Sequence, residues 1–92
     1  MVAGFLLGDI RGVEYGKDIQ GWIDMMGVHP KYQHLGIGRK LVEAFCEVCE
    51  RNKVNVQVLL REDDEQLKTF FKSLDFRRGD MVNFVRKYSA EK

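Results

Sequence analysis

Apolar and polar positions along the chain change their period several times, and each change marks an element. Residues 2–7, VAGFLL, form a short apolar run that meets the turn-rich GDIRG, which predicts a strand and then a turn. The mixed, glycine-bearing stretch over 12–20 reads as a loop. Residues 21–28, GWIDMMGV, predict a second strand. His29-Pro30 ends it, because proline has no amide to give a ladder. From Arg39 to Asn52 the spacing becomes three or four. Leu41, Phe45 and Val48 form one line, and Val42, Phe45 and Cys49 an adjoining one. Glu43, Glu47, Glu50 and Arg51 fall mostly elsewhere, so this is an amphipathic helix of about three to four turns. Residues 54–60, VNVQVLL, put Val54, Val56, Val58 and Leu60 on one face of a strand. The acidic run Glu62-Asp63-Asp64-Glu65 then suits the N-terminus of a helix over 65–74, striped by Leu67, Phe70, Phe71 and Leu74. FRRGD over 76–80 suits a short strand and turn. MVNFVRKY over 81–88 predicts a last strand, and the tail SAEK is expected to be loose.

The predicted order is β-β-α-β-α-β-β: an α/β fold with a mixed sheet of about five strands and two helices. The central strand-helix-strand unit should pair its strands in parallel through a right-handed crossover, and the final pair should be antiparallel. At 92 residues one domain is expected, spanning 1–92. Fifteen basic residues against fourteen acidic ones leave a net charge of +1, which argues against a nucleic-acid or membrane-surface partner. No apolar run approaches the ~18 residues of a membrane span, and the N-terminus has no basic segment or cleavage site of a secretory signal. Two cysteines make no disulfide framework, so a reducing cytoplasm is expected.

Charge does change the picture at one place. Between Asp24 and Glu43 there is no acidic residue, while Lys31, Arg39, Lys40, His29 and His34 all lie there. Inside that window Gln33-His34-Leu35-Gly36-Ile37-Gly38-Arg39 joins a strand end to a helix start. A helix N-terminus presents unpaired amides and partial positive charge, and glycine lets an anion reach the backbone. Two glycines alone could equally make a tight turn. Together with the helix start and the local charge they favour a phosphate or pyrophosphate ligand. A dinucleotide fingerprint would need a glycine where Leu41 stands, and a P-loop would need a Lys-Ser or Lys-Thr pair, so neither fits.

The pattern that does fit is Val28-x-Pro30-x-x-Gln33-x-x-Gly36-x-Gly38-x-x-Leu41. It resembles motif A of the GCN5-related N-acetyltransferases, the GNAT family, and the likeness extends over residues 2–88, including LKTFFKSLDF. The resemblance implies acetyl-CoA as co-substrate and transfer of acetyl to an amine by direct attack, with no metal. By the same resemblance, amides from His34 through Leu35, Gly36, Ile37 and Gly38 to Arg39 hold the pyrophosphate, Gln33 opens the loop, and backbone groups of Met26 and Val28 pair with the pantetheine arm. It also implies that the chain begins at the family's third strand, so that the N-terminal strand and helices, one wall of the acceptor pocket, are lacking. The exposed sheet edge this leaves predicts a homodimer or larger assembly. A non-catalytic CoA-binding or assembly module is the alternative reading.

Asp24, the acid within the second strand, is either a general base, directly or through water, or a carboxylate that faces solvent or pairs with a basic group. A tyrosine proposed in the family to protonate the leaving thiolate corresponds here to Phe71, which has no ionisable group. Phe71 can pack against the pantetheine arm or in the core. The family's asparagine and glycine around this helix correspond to Asp64 and Asp75. Cys46 and Cys49 lie mid-helix on the apolar side and are expected to be core or partly exposed thiols, with no metal. His34 could touch phosphate, His29 could simply end the strand, and Trp22 and Tyr15 could line an acceptor pocket or the core.

Overall fold

A computed structural model of the chain describes residues 3–12, 18–33 and 35–88. Strand β1 spans Gly4–Arg11 and β2 spans Gln20–Val28; a single 3-10 turn, Pro30–Tyr32, then leads to helix α1, Ile37–Arg51. Strand β3, Val56–Val58, and helix α2, Glu65–Lys72, follow. The sheet order is β1-β2-β3, with β1 antiparallel to β2 and β2 parallel to β3. The parallel pair with α1 as its crossover is the central unit the periodicities predict.

The mixed α/β class holds, while three expectations need correction. GDIRG is not a turn: β1 continues through Gly8, Asp9 and Ile10 to Arg11, because β2 offers a nine-residue partner along its whole length. Gly8 is there for close approach, since a Cβ on it would lie 2.7 Å from the Phe45 ring of α1. Gly21 on β2 likewise leaves room for the Cys49 sulfur. Secondly, β3 is three residues long, not seven. Thirdly, 76–80 and 81–88 form no strands, so the sheet has three strands rather than five. A two-residue period is a local property, but a strand exists only when another backbone takes its hydrogen bonds. Nothing among the described residues pairs with 81–88, and Val82, Phe84, Val85 and Tyr88 are exposed.

The core lies between the sheet and the two helices. Ile23 of β2, Val42 of α1 and Phe71 of α2 form its buried centre, with Leu6, Phe45, Val56, Val58 and Phe76 packed around it. Of the two apolar lines on α1, the one through Val42 and Cys49 faces inward, and both are fully buried. Val48 on the other line is 37% exposed. Helix α2 begins as its acidic run predicts: the Asp64 side chain accepts a hydrogen bond from the Leu67 amide at 3.0 Å, and Glu65 stands in the first turn. It ends in a left-handed residue, Asp75 with φ of 70°, while the Phe76 amide donates to Phe71 O at 3.1 Å. That bond closes a glycine-type helix terminus with an aspartate in the glycine position.

Candidate functional site

The two parallel strands pair only from Gly21 to Ile23 and from Val56 to Val58. Beyond Ile23, β2 runs on to Val28 with β1 on one side and, among the described residues, no strand on the other. A bulge sits at the start of this free stretch: Leu7 faces Met25 and Gly8 faces Ile23, so Asp24 is the extra residue of β2. The bulge reverses which amides face which way. Gly21 donates to Asn55 O beside β3 at 2.8 Å, whereas His29 donates to Ala3 O beside β1 at 2.7 Å. By strand alternation, Met26 and Val28 therefore turn their backbone groups toward the open side. The Gln33 amide side chain already reaches Val28 O there, at 3.3 Å.

Helix α1 starts beside this edge. Its N-cap is Gly36, held at φ of 74°, a conformation that accepts glycine without strain, so Gly36 is explained by the turn alone. Gly38 is different. Its φ is not positive, and an added Cβ would meet only ordinary contacts: Met26 Cε at 3.5 Å, Phe70 Cζ at 3.5 Å and Val28 Cγ2 at 3.6 Å. The fold does not require glycine at 38, where that Cβ would touch side chains of β2 and α2. A glycine that neither backbone angle nor packing demands is compatible with a close backbone approach by a ligand.

The electrostatics agree. Among the described residues no side chain caps α1, and its first turn holds no acid. The first intrahelical bond is Lys40 N–H to Gly36 O at 3.1 Å, so the amides of Ile37, Gly38 and Arg39 precede the ladder and have no acceptor within the helix. Arg39 is exposed and only loosely paired, with its Nε 3.8 Å from Glu43. Leu35 is exposed and Ile37 half-buried. His34 lies outside the described residues, as does Tyr15. His29 has a structural role, since its Nδ1 accepts from the Lys31 amide at 3.1 Å and its ring meets Tyr32 edge-on at 5.7 Å.

The structure thus brings Met26, Val28, Gln33, Gly36, Gly38 and Arg39 to one edge. It keeps Phe71 in the core, 3% exposed, with Phe70 and Phe76 edge-on at 5.1 and 5.0 Å. The aromatic that borders Gly38 is Phe70. On paper Phe70 is one apolar residue of a helical stripe; only the packing of α2 against α1 singles it out. Asp24 is bound by Arg11 through two hydrogen bonds of 2.8 and 2.9 Å. The Arg11 hydrogen bonds hold the Asp24 carboxyl below its usual range. Arg11 also lies over Trp22, its guanidinium carbon 5.6 Å from the ring, and Trp22 is buried. Thirteen residues of sequence separate Arg11 from Asp24, so no local pattern marks the pair. Burial pushes up both the Cys46 and Cys49 thiols, as expected of packed cysteines.

Comparison with known proteins identifies the fold and the family. Residues 1–78 match the family model of the acetyltransferase (GNAT) domain, and the chain belongs to the GNAT family. Among solved structures, it resembles the aminoglycoside N-acetyltransferase AAC(6')-Iy in complex with CoA, with 19% identity, 95% of this chain and 68% of that one covered, and a TM-score of 0.78. It also resembles the aminoglycoside 6'-N-acetyltransferase AAC(6')-Ih from Acinetobacter baumannii, at 18% identity, 96% and 63% coverage and a TM-score of 0.75. A putative acetyl transferase from Pyrococcus furiosus gives 14%, 92%, 57% and 0.78 in the same order. These likenesses establish the shared fold, of which this chain spans about two thirds or less. No curated protein sequence matches it. Among the described residues, no helix is long and apolar enough to cross a membrane.

Proposed function

We propose that the chain binds acetyl-CoA along the open β2 edge and the start of α1, and serves as an N-acetyltransferase toward an amine acceptor. One observation carries the binding reading: Gly38 is a glycine that neither backbone conformation nor packing requires, at the uncapped start of a 15-residue helix. The amides of Ile37, Gly38 and Arg39 would hold the pyrophosphate, with Leu35 and Gly36 shaping the approach and His34 in the same loop. Met26 and Val28 would pair with the amide groups of the pantetheine arm as an added strand does. Bound acetyl-CoA would supply a thioester carbonyl for an amine to attack.

Asp24 stands at the bulge where β2 parts from β3. Because Arg11 stabilises its ionised form, it is a weak base but a lasting anion, suited to attract and orient a cationic amine or a water that takes its proton. Phe71 offers a wall of the core from which the cofactor side of the site is built, and no acid. That absence of a hydroxyl favours the second reading, a CoA-binding module without transfer activity. A homodimer formed through an exposed sheet edge and a cytoplasmic setting complete the proposal.

Calorimetric titration with acetyl-CoA tests the site; no heat and no thermal shift at millimolar ligand would overturn it. Thiol release with a panel of amines, aminoglycosides among them because the structural neighbours act on these, separates transferase from binding module. If the transferase reading is right, Asp24→Asn raises the KM for a cationic amine more than it lowers kcat. A general base would instead show as a lost limb of the kcat pH profile.

A further inference from the structure

The face of the sheet turned away from α1 has a charged half and an apolar half. Gly4 and Gly8 point toward α1: a Cβ on Gly4 would meet Ile37 and Leu41, and one on Gly8 the Phe45 ring. Strand alternation therefore sends Phe5, Leu7, Asp9 and Arg11 to the other face. The register adds their partners on β2, with Gly27 opposite Phe5 and Met25 opposite Leu7. The Phe5 ring lies against Gly27, where an added Cβ would come within 2.9 Å of it. Arg11 lies over the Trp22 ring and holds Asp24 by hydrogen bonds of 2.8 and 2.9 Å, which brings those two to the same face.

The apolar half stands in water. Leu7 is 57% exposed, Met25 56% and Phe5 42%. The core takes Leu6, Ile23 and Met26 from the same strands and none of these three. Large apolar side chains grouped at a surface mark a place where something else binds. Beside them the Asp24 side chain is 48% exposed, and Asp9 is exposed as well. Two carboxylates against the one guanidinium of Arg11 leave a surplus of one negative charge. Asp24 adjoins Met25 in the chain, and Phe5 lies roughly 7–10 Å farther along the strands at about 3.4 Å per residue.

We infer that this face receives the acceptor, and that the acceptor is a monocationic amine with an apolar body of aryl or short alkyl type. Its ammonium group sits against Asp24, and its body covers Leu7, Met25 and Phe5. This rests on the reading in which Asp24 orients the amine, and adds the class of amine to it. A polycation rich in hydroxyl groups finds one surplus charge here and an apolar surface that cannot take its hydrogen bonds. A bare small amine leaves the apolar half in water. A second copy of the chain brings the same surplus charge, whereas an ammonium group neutralises it.

Calorimetry on the full chain tests the inference, with phenethylamine, ethylamine, spermidine and the aminoglycoside sisomicin as probes and acetyl-CoA titrated into the same preparation. Phenethylamine should bind roughly tenfold more tightly than each of the others, or better. Leu7→Ser should weaken phenethylamine roughly threefold or more with an unchanged helix signal in circular dichroism, because Leu7 lies outside the core. Met25→Ser should do the same, and serves if Leu7→Ser misfolds. Asp24→Asn should weaken it roughly tenfold, more at low salt than at high. Equal affinity for all four amines, tighter binding of spermidine or sisomicin, or binding of none would each overturn the inference. So would phenethylamine affinity that survives both serine changes. Sedimentation velocity covers the other occupant: a wild-type dimer that Leu7→Ser disperses would mean that a second copy covers this face, and would overturn it too. The amine preference without acetyl-CoA heat would defeat the cofactor reading alone; acetyl-CoA heat without the preference would defeat this inference alone.

Discussion

Helix α2 begins under its own carboxylates, with Asp64 accepting from the Leu67 amide at 3.0 Å and Glu65 in the first turn, whereas α1 begins on Gly36 with neither a side-chain cap nor an acid. Both helices expose the same kind of partial positive charge at that end. In α2 the chain itself neutralises it, and the helix start is structural. In α1 the neighbours are Arg39 and Lys40, and no described side chain neutralises the charge. Of two chemically equal helix ends, the one that does not satisfy itself is the candidate site.

That contrast can be broken first at Gly38. Gly38→Ala should weaken acetyl-CoA binding roughly 100-fold or more, about 2.7 kcal/mol, while thermal unfolding changes little, because the added Cβ meets only ordinary contacts. Calorimetry and a melt on one sample check both halves; retained affinity would reduce Gly38 to a turn residue. Making α1 begin as α2 does should have the next largest effect. Arg39→Glu puts a carboxylate in the first turn and should raise the dissociation constant roughly tenfold, about 1.4 kcal/mol, more at low salt than at high. Its exposed 3.8 Å contact with Glu43 is too loose for the loss of that pair to account for such a change.

The reverse experiment is Asp64→Ala. It removes the cap of α2 and should cost about 1 kcal/mol of stability in denaturant unfolding, with acetyl-CoA affinity unchanged within about twofold. If it weakened binding as much as Gly38→Ala, the two helix starts would not be functionally distinct. The smallest effect is expected at the far end of α2. Asp75→Gly relieves a left-handed aspartate at φ of 70° and should stabilise the fold by a few tenths to about 1 kcal/mol, part of it offset by the freer unfolded chain. A rise in the unfolding midpoint without any change in affinity would confirm that this end of α2 is purely structural.

Legibility in the sequence followed the range of the interaction involved. Helices α1 and α2 were readable because their stripes, caps and first-turn charges act within a few residues. Their observed bounds, Ile37–Arg51 and Glu65–Lys72, lie within two residues of the expected ones. The glycine turn was readable for the same reason. The pairing of Asp24 with Arg11 was not, because only the register of two strands brings them together. Nor was Phe70, whose place beside Gly38 depends on how α2 lies against α1.

By itself, the sequence determined where the chain would coil into helices, where it would extend, and where it would leave a helix start free of negative charge. Those are consequences of local geometry and neighbouring side chains. Tertiary structure decided which extended segments became strands, since only paired backbones do: GDIRG found β2 and joined the sheet, while MVNFVRKY found no partner strand among the described residues and Val82 to Tyr88 stayed exposed. It also decided that Gly36 serves the turn while Gly38 is spare. Two glycines one residue apart look alike on paper, and only the backbone angle of one and the surroundings of the other tell them apart.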